Sequence, residues 1–250
     1  MNAEYRVKTP LGFGTTAALL PIASEIARGR IGIILDGCTT GIRYFDVSEV
    51  DGLPTVENIQ RLQAMSHENP CLWAVERLRN GAYILDTETT GVGPDVGIID
   101  IALVTARGQV LLNTLVSCDR PMQPGAYRVH HISESELRGK PTIADVWKEN
   151  VYLFTSREIV IYNASFDVGM LKQSLERYGI PLPPLRSFCL MAAYSAYIGE
   201  TNGGNSYRNQ RLSHACQHFG IPEGTHRALS DAKAARAVLV HLAHSWETPA

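Results

Sequence analysis

Apolar and polar residues along this chain follow two rhythms, and the change between them falls near residue 80. Before it, apolar positions come in short bursts. A helix is predicted over Thr15–Arg28, and apolar runs at Ile31–Leu35 and Ile42–Val47 are punctuated by Gly37, Gly41 and Gly52 as by turns. Two further helices are predicted at Thr55–Met65 and Pro70–Arg79, the second with a proline in its first turn and Asn80-Gly81 as its stop. No motif in these residues is tied to a known chemistry.

From Ala82 onward the apolar runs lengthen. Ala82–Thr87, Gly97–Thr105 and Gln109–Val116 have strand length and are separated by turns containing Gly and Asp, which predicts a three-stranded meander. Ile143–Phe154 reads as a helix and Glu158–Tyr162 as a buried strand. Asp167–Tyr178 reads as a helix carrying Val168, Leu171, Leu175 and Tyr178 on one face, ended by Gly179-Ile180-Pro181. Phe188–Ile198 reads as another helix and Thr201–Asn209 as a polar loop. The stripes Leu212, Ala215, Cys216, Phe219 and Ala235, Val238, Leu239, Leu242 predict two final helices facing a core. Strands followed by helices imply an α+β or α/β layer architecture around one sheet, over residues 80–245, preceded by an extension over residues 1–79.

With 250 residues, 45% hydrophobic and 19% charged, the chain is neither disordered nor fibrous. Its 23 Lys+Arg against 25 Asp+Glu exclude a histone-like coat for nucleic acid, so such a partner needs a local patch or metal ions. One patch is available: between Tyr207 and Arg236, Arg208, Arg211, Arg227, Lys233 and Arg236 outnumber Glu223 and Asp231. The cysteines (Cys38, Cys71, Cys118, Cys189, Cys216) are odd in number and form no C-x-x-C pair, which argues against a disulfide framework or structural zinc and for a reducing cytoplasm. No apolar run approaches the roughly 18 residues needed to span a bilayer, so no membrane partner is expected. Arg6 and Lys8 before Leu11–Ala23 imitate a signal peptide loosely, but threonines, glycines and Pro21 dilute the stretch and no cleavage motif follows.

The chemistry begins at Asp86 and Glu88, two apart at the end of an apolar strand and therefore on one face of it. Hard carboxylate oxygens suit Mg²⁺ or Mn²⁺, and converging acids are costly to bury without a cation. Asp167 follows a buried strand through the turn Asn163-Ala164-Ser165-Phe166, at the carboxyl end where ligand sites of open sheets collect, although an acid there is also an ordinary helix cap. His226 and Asp231 open the last helix. A histidine can take a proton near neutral pH, and the aspartate can bind metal.

In order, D-x-E, N-x-x-F-D and H-x-x-x-x-D resemble the motifs of the DnaQ-like 3′–5′ exonucleases of the DEDDh type, from about Asn80 to Leu242. The resemblance implies a ribonuclease-H-like α/β fold with a central mixed five-stranded sheet flanked by helices. It also implies that Asp86, Glu88, Asp167 and Asp231 hold two divalent cations, Mg²⁺ or Mn²⁺, with His226 as general base. The expected reaction releases nucleoside 5′-monophosphates from the 3′ end of single-stranded or 3′-ended nucleic acid, with DNA favoured over RNA. Candidate contacts to the terminal nucleotide are Thr87, Thr89, Val92, His130, Asn163 and Phe166. Val129-His130-His131-Ile132-Ser133 resembles the family's Val-His-Gly-Ile-Thr, with His131 in the glycine position. The extension is expected to dock a DNA polymerase, pack on the catalytic domain or pair two subunits.

Two alternatives are open. One is a nucleic-acid-binding or polymerase-associated module that keeps this fold with little turnover. The other is a haloacid-dehalogenase-like phosphatase using Asp86 as nucleophile, which Asp86-Thr87-Glu88-Thr89 resembles; a matching downstream lysine and aspartate pair are missing. Lastly, Ile34-Leu35-Asp36-Gly37-Cys38-Thr39-Thr40-Gly41 echoes Ile84-Leu85-Asp86-Thr87-Glu88-Thr89-Thr90-Gly91 without the glutamate, and reads as coincidence or a non-catalytic remnant.

Overall fold

The computed structural model describes residues 6–9, 12–16, 30–35, 43–46, 50, 69–201 and 206–245, the four earliest segments as backbone strands. Those segments are β1 (Arg6–Thr9), β2 (Gly12–Thr16), β3 (Arg30–Leu35) and β4 (Arg43–Asp46), paired antiparallel in the order β1-β2-β3-β4. Thr15 and Thr16 thus end a strand where a helix was predicted; the rest of that prediction, the Thr55–Met65 helix, and Asp36–Gly41 of the echo lie outside the described residues. The Ile31–Leu35 and Ile42–Val47 runs correspond to β3 and β4.

The second sheet has five strands in the order β7-β6-β5-β8-β9. These are β5 (Tyr83–Thr89), β6 (Ile98–Thr105), β7 (Val110–Leu115), β8 (Ile159–Ile161) and β9 (Ser187–Cys189). The meander β5–β7 is antiparallel, whereas β8 and β9 run parallel to β5, so the sheet is mixed. Central β6 and the first half of β5 are apolar because helices cover both faces. On one face Ile84, Ala102, Val104 and Val160 pack with α1 (Pro70–Arg79), α6 (Leu190–Ile198), α7 (Leu212–Phe219) and α8 (Ala228–His244). On the other, Leu85, Ile101, Leu103 and Ile161 pack with α4 (Ile143–Ser156) and α5 (Ala164–Glu176). Five buried alanines of α8 (228, 232, 234, 235 and 243) leave no bulk between that helix and its neighbours.

Three differences from the sequence reading have physical causes. Residues 187–189 form β9 at the sheet edge, where a helix was predicted from Phe188; the helix starts only at Leu190, since Ile159, Val160 and Ile161 offer a parallel partner. Two short helices, α2 (Pro124–His130) and α3 (Glu134–Leu137), fall where no periodic stripe is long enough to announce them. Finally, α1 belongs physically with the five-stranded sheet: Cys71 and Ala74 enter its core, Arg77 lies over the Phe188 ring, and Asn80 donates to both oxygens of buried Glu158, which also accepts from Arg186 at 2.6 Å. Residues 70–79, read by sequence as part of the extension, are therefore built into the core of the five-stranded sheet.

Candidate active site

The site forms where β5 ends, and alternation of side chains along the strands sorts its parts. Asp86 and Glu88 share the α8 face with Ile84, and Asp100 lies directly opposite Glu88 on β6. Just beyond, the register slips between Glu88 and Thr89, a bulge of the kind that re-aims side chains beside sites. Thr87 points to the α5 face. Its N–H and hydroxyl both donate to Asp167 Oδ1, at 3.1 and 2.7 Å, and so hold the acid of α5's first turn against the strand end.

Asp231 arrives from the first turn of α8. It accepts the His226 N–H at 3.1 Å, and its Oδ2 lies 3.9 Å from His226 Nδ1. His226 adopts a left-handed backbone, φ 53°, and keeps its ring 60% exposed at the mouth of the cleft. Gly224 makes this turn possible, since a Cβ there would collide with the Asp231 carboxylate. Glu88, His226 and Asp231 each offer a ligand atom, all within 4.8 Å of one another.

Gathering these acids raises their pKa values. Burial pushes Asp86 well above its ordinary value, helped by Asp167, Asp231, Glu88 and Asp100. Glu88 is pushed up to about 8 by burial and then by Asp231, Asp100 and Asp167, with Arg227 opposing. Burial raises Asp167 to about 6 against the hydrogen bonds from Thr87, and it raises Asp231 against the opposing charge of His226. A group of hard oxygen donors that repel one another without enough protein counter-charge is the donor set a divalent cation fits. The four acids named from the sequence are thus brought together.

The candidate substrate contacts divide. Val92 is 71% exposed at the rim. Its peptide is gripped at both ends by the Gln123 carboxamide, through Val92 N–H to Oε1 and Nε2 to the Val92 carbonyl, each 3.1 Å, and a side chain at Gly91 would collide with Gln123. Asn163 is exposed at the start of α5, and Phe166 is half-buried against the α5-face core. Thr87 and Thr89 are buried instead, the Thr89 hydroxyl donating to the Gly91 carbonyl at 2.6 Å, so both hydroxyls brace the site from within. His130 is likewise buried. Its Nδ1 accepts the Ile132 N–H at 2.9 Å. Burial lowers its pKa, with the Thr89 carbonyl opposing. His131 closes α2 in the left-handed conformation, φ 55°, the geometry that favours glycine at this position.

Sequence reasoning missed Asp100. It sits inside the apolar run Ile98-Ile99-Asp100-Ile101, and one charge in an otherwise buried strand was the available signal. Its Oδ2 accepts from Ala228 N–H at 3.2 Å and Arg227 Nε at 3.1 Å, which caps the helix carrying Asp231 from a distant strand.

A family model of exonucleases, that of RNase T, matches residues 83–239. The chain belongs to the RNase T exonuclease family. This exonuclease is 33% identical over 174 residues to an uncharacterized exonuclease, CP81, of Escherichia phage 186, covering 66% of this chain and 90% of that one. It is 30% identical over 164 residues to the DNA polymerase III subunit epsilon of Salmonella typhimurium, covering 60% of this chain and 66% of the subunit, just under two thirds of that relative's length. Among solved structures, the nuclease domain of 3'hExo, a DEDDh family member bound to rAMP, aligns with a TM-score of 0.54 at 14% identity over 66% of this chain and 93% of that domain. E. coli exonuclease I in complex with a dA16 oligonucleotide aligns with a TM-score of 0.51 at 22% identity, over 65% and 42%. The ribonuclease-H-like fold expected from the motifs is therefore the fold of this exonuclease. The family match sets aside the phosphatase alternative, and the DEDDh type works with divalent metal.

Proposed function

We propose that this enzyme is a 3′–5′ exonuclease that removes nucleoside 5′-monophosphates one at a time, from DNA in preference to RNA. The observation that carries the proposal is the convergence of Asp86, Glu88, Asp167 and Asp231 on one strand end with His226 beside Asp231, in a cleft where Glu88 is pushed up to about 8. Those four acids would hold two divalent cations, Mg²⁺ or Mn²⁺. Bound there, the cations neutralise the acids and supply the charge that activates water and stabilises the leaving oxygen in phosphodiester hydrolysis.

The protein's own groups do the rest. His226, exposed at the cleft mouth and steered by Asp231, takes the proton of the attacking water. Thr87 keeps Asp167 from swinging away. Val92, presented by Gln123, packs against the terminal nucleotide, as do Phe166 and Asn163 at the start of the helix that carries Asp167.

Product analysis on 5′-labelled single-stranded DNA and RNA, with Mg²⁺, Mn²⁺ or EDTA, tests the proposal. A metal-dependent ladder shortening from the 3′ end, absent in Asp86→Ala, is the expected result. Intact oligonucleotides that folded protein still binds would favour the non-catalytic module. The cytoplasm is the proposed location, since Cys71, Cys118, Cys189 and Cys216 are free thiols and no helix among the described residues is long and apolar enough to cross a membrane. A DNA polymerase or a second copy of the chain is the proposed partner of the residues before 69.

A further inference from the structure

The acids create a second problem for this site: its substrate is a polyanion. Asp86, Glu88, Asp167 and Asp231 are joined by Asp100, whose side chain is only 4% exposed and which adds its own charge to the cleft. A strand running past this cleft carries phosphates beyond the one being cut, and a positive group within reach of one offsets the repulsion from the acids. Arg208 faces Glu200 at 3.8 Å, and Arg236 Nε donates to the Ala106 carbonyl at 2.7 Å.

Arg227 is placed differently. Its Nε is fastened to buried Asp100, its side chain remains 43% exposed, and its charge acts on Glu88, on His130 and on Glu136 at the start of α3. The guanidinium is therefore bonded to the acid that lies opposite Glu88 on β6. Asp100 engages Nε, and the guanidinium carries two further Nη groups in the fork geometry that matches two phosphate oxygens. Because Asp100 pins the arm at Nε, little side-chain freedom is left to lose when a phosphate binds. The same Asp100 oxygen accepts the Ala228 N–H, so the arginine is held in fixed register with the helix that carries Asp231.

We infer that Arg227, aimed by Asp100, is a substrate-binding residue that takes a backbone phosphate of the nucleic-acid strand beyond the scissile linkage. Asp100 is the positioning residue. The inference rests on the exonuclease reading and names a further contact within it.

Two substrates separate this role from a structural one. A single-stranded oligonucleotide has phosphates beyond the cleaved bond, whereas the p-nitrophenyl ester of thymidine 5′-monophosphate has only the cleaved one. With Mn²⁺, Arg227→Ala should lower the ratio of kcat/KM for the oligonucleotide to that for the ester about tenfold, the loss expected for one charge-assisted contact, and the change should lie in KM. The log–log salt dependence of oligonucleotide KM should become shallower by about one unit. Arg227→Lys should recover part of the ratio by keeping the charge without the fork. Asp100→Asn should shift the ratio in the same direction by less. Equal losses on both substrates, in kcat and with an unchanged salt slope, would show that Arg227 only props the helix start and would overturn the inference. Wild-type protein that turns over neither substrate would overturn the exonuclease reading itself, a result distinct from a wild type that is active and a variant that is not selective.

Discussion

Ile34-Leu35 and Ile84-Leu85 each precede an aspartate in sequence, and the two apolar pairs lie in different sheets. The first pair of apolar residues ends β3, which lies between β2 and β4 in a wholly antiparallel sheet. The second lies in β5, the middle strand of a mixed sheet, with antiparallel β6 on one side and parallel β8 on the other. The neighbours of β5 make its acids meaningful. β6 sets Asp100 opposite Glu88, the crossover after β8 returns α5 with Asp167, and α8 lays Asp231 and His226 over the same strand end. An apolar run ending in aspartate is a common strand end. It becomes a candidate metal site only when other parts of the chain deliver acids to it.

The sharpest way to break the comparison is to remove one acid from each copy. Asp167→Ala should cut turnover by ~10³-fold or more while the far-UV spectrum stays unchanged, since the site loses one of four proposed ligands. Asp36→Ala, in the copy that lacks the glutamate, should leave turnover within a factor of ~2. Loss of activity in Asp36→Ala would make the echo part of the site after all. Next in size, His226→Gln should lower kcat by ~10²–10⁴-fold, the worth of a general base, with the Mn²⁺ affinity measured by titration changed little.

The crowded acids also predict a pH response. Glu88 has an ordinary value of 4.5 and a folded value of about 8. A carboxyl raised on folding contributes stability below its unfolded value, and that contribution is lost as pH rises through the folded one. In EDTA, the melting temperature should therefore fall between about pH 5 and 9, with Asp167, raised to about 6, contributing to the lower part of the fall. Mn²⁺ binds the ionised acids, so the melting-temperature increase it produces should grow with pH. Glu88→Gln should flatten the EDTA profile, and a profile unchanged by this substitution would mean that Glu88 is not the responsible group. The smallest effect concerns His131. Replacing it by glycine should raise stability by about 0.5 kcal/mol or less, because relief of the left-handed backbone is offset by glycine's larger unfolded-state entropy and by loss of the edge-on contact with Tyr127, and chemical denaturation would measure it.

Much of the second sheet was readable from the chain. Ala82–Thr87, Gly97–Thr105 and Gln109–Val116 are long enough for period and turn residues to declare them, and Pro70–Arg79 carries both of its helix signals in sequence, to which the structure adds an Asn69 cap. Shorter elements were not readable. Three residues of β9 have no period of their own and become a strand only because β8 is there to pair with. The acids could be named because their motif order resembles a family, whereas Asp100 could not: its meaning comes from lying across from Glu88 and under Arg227, 127 residues further on. The burial of Thr87 and Thr89 was not readable for the same reason, since next to a proposed ligand in sequence their side chains still face inward.

By itself, then, the sequence determined the strand and helix propensities, the kinds of side chain available and the order in which acids and histidine occur, because these depend on local period and composition. Only the tertiary structure decided that Thr87 braces Asp167, that Asp100 caps α8 and aims Arg227, and that α1 belongs with the catalytic sheet. Those outcomes depend on register and on which helix covers which face, and contacts between residues far apart along the chain are created by packing, not by neighbours in sequence.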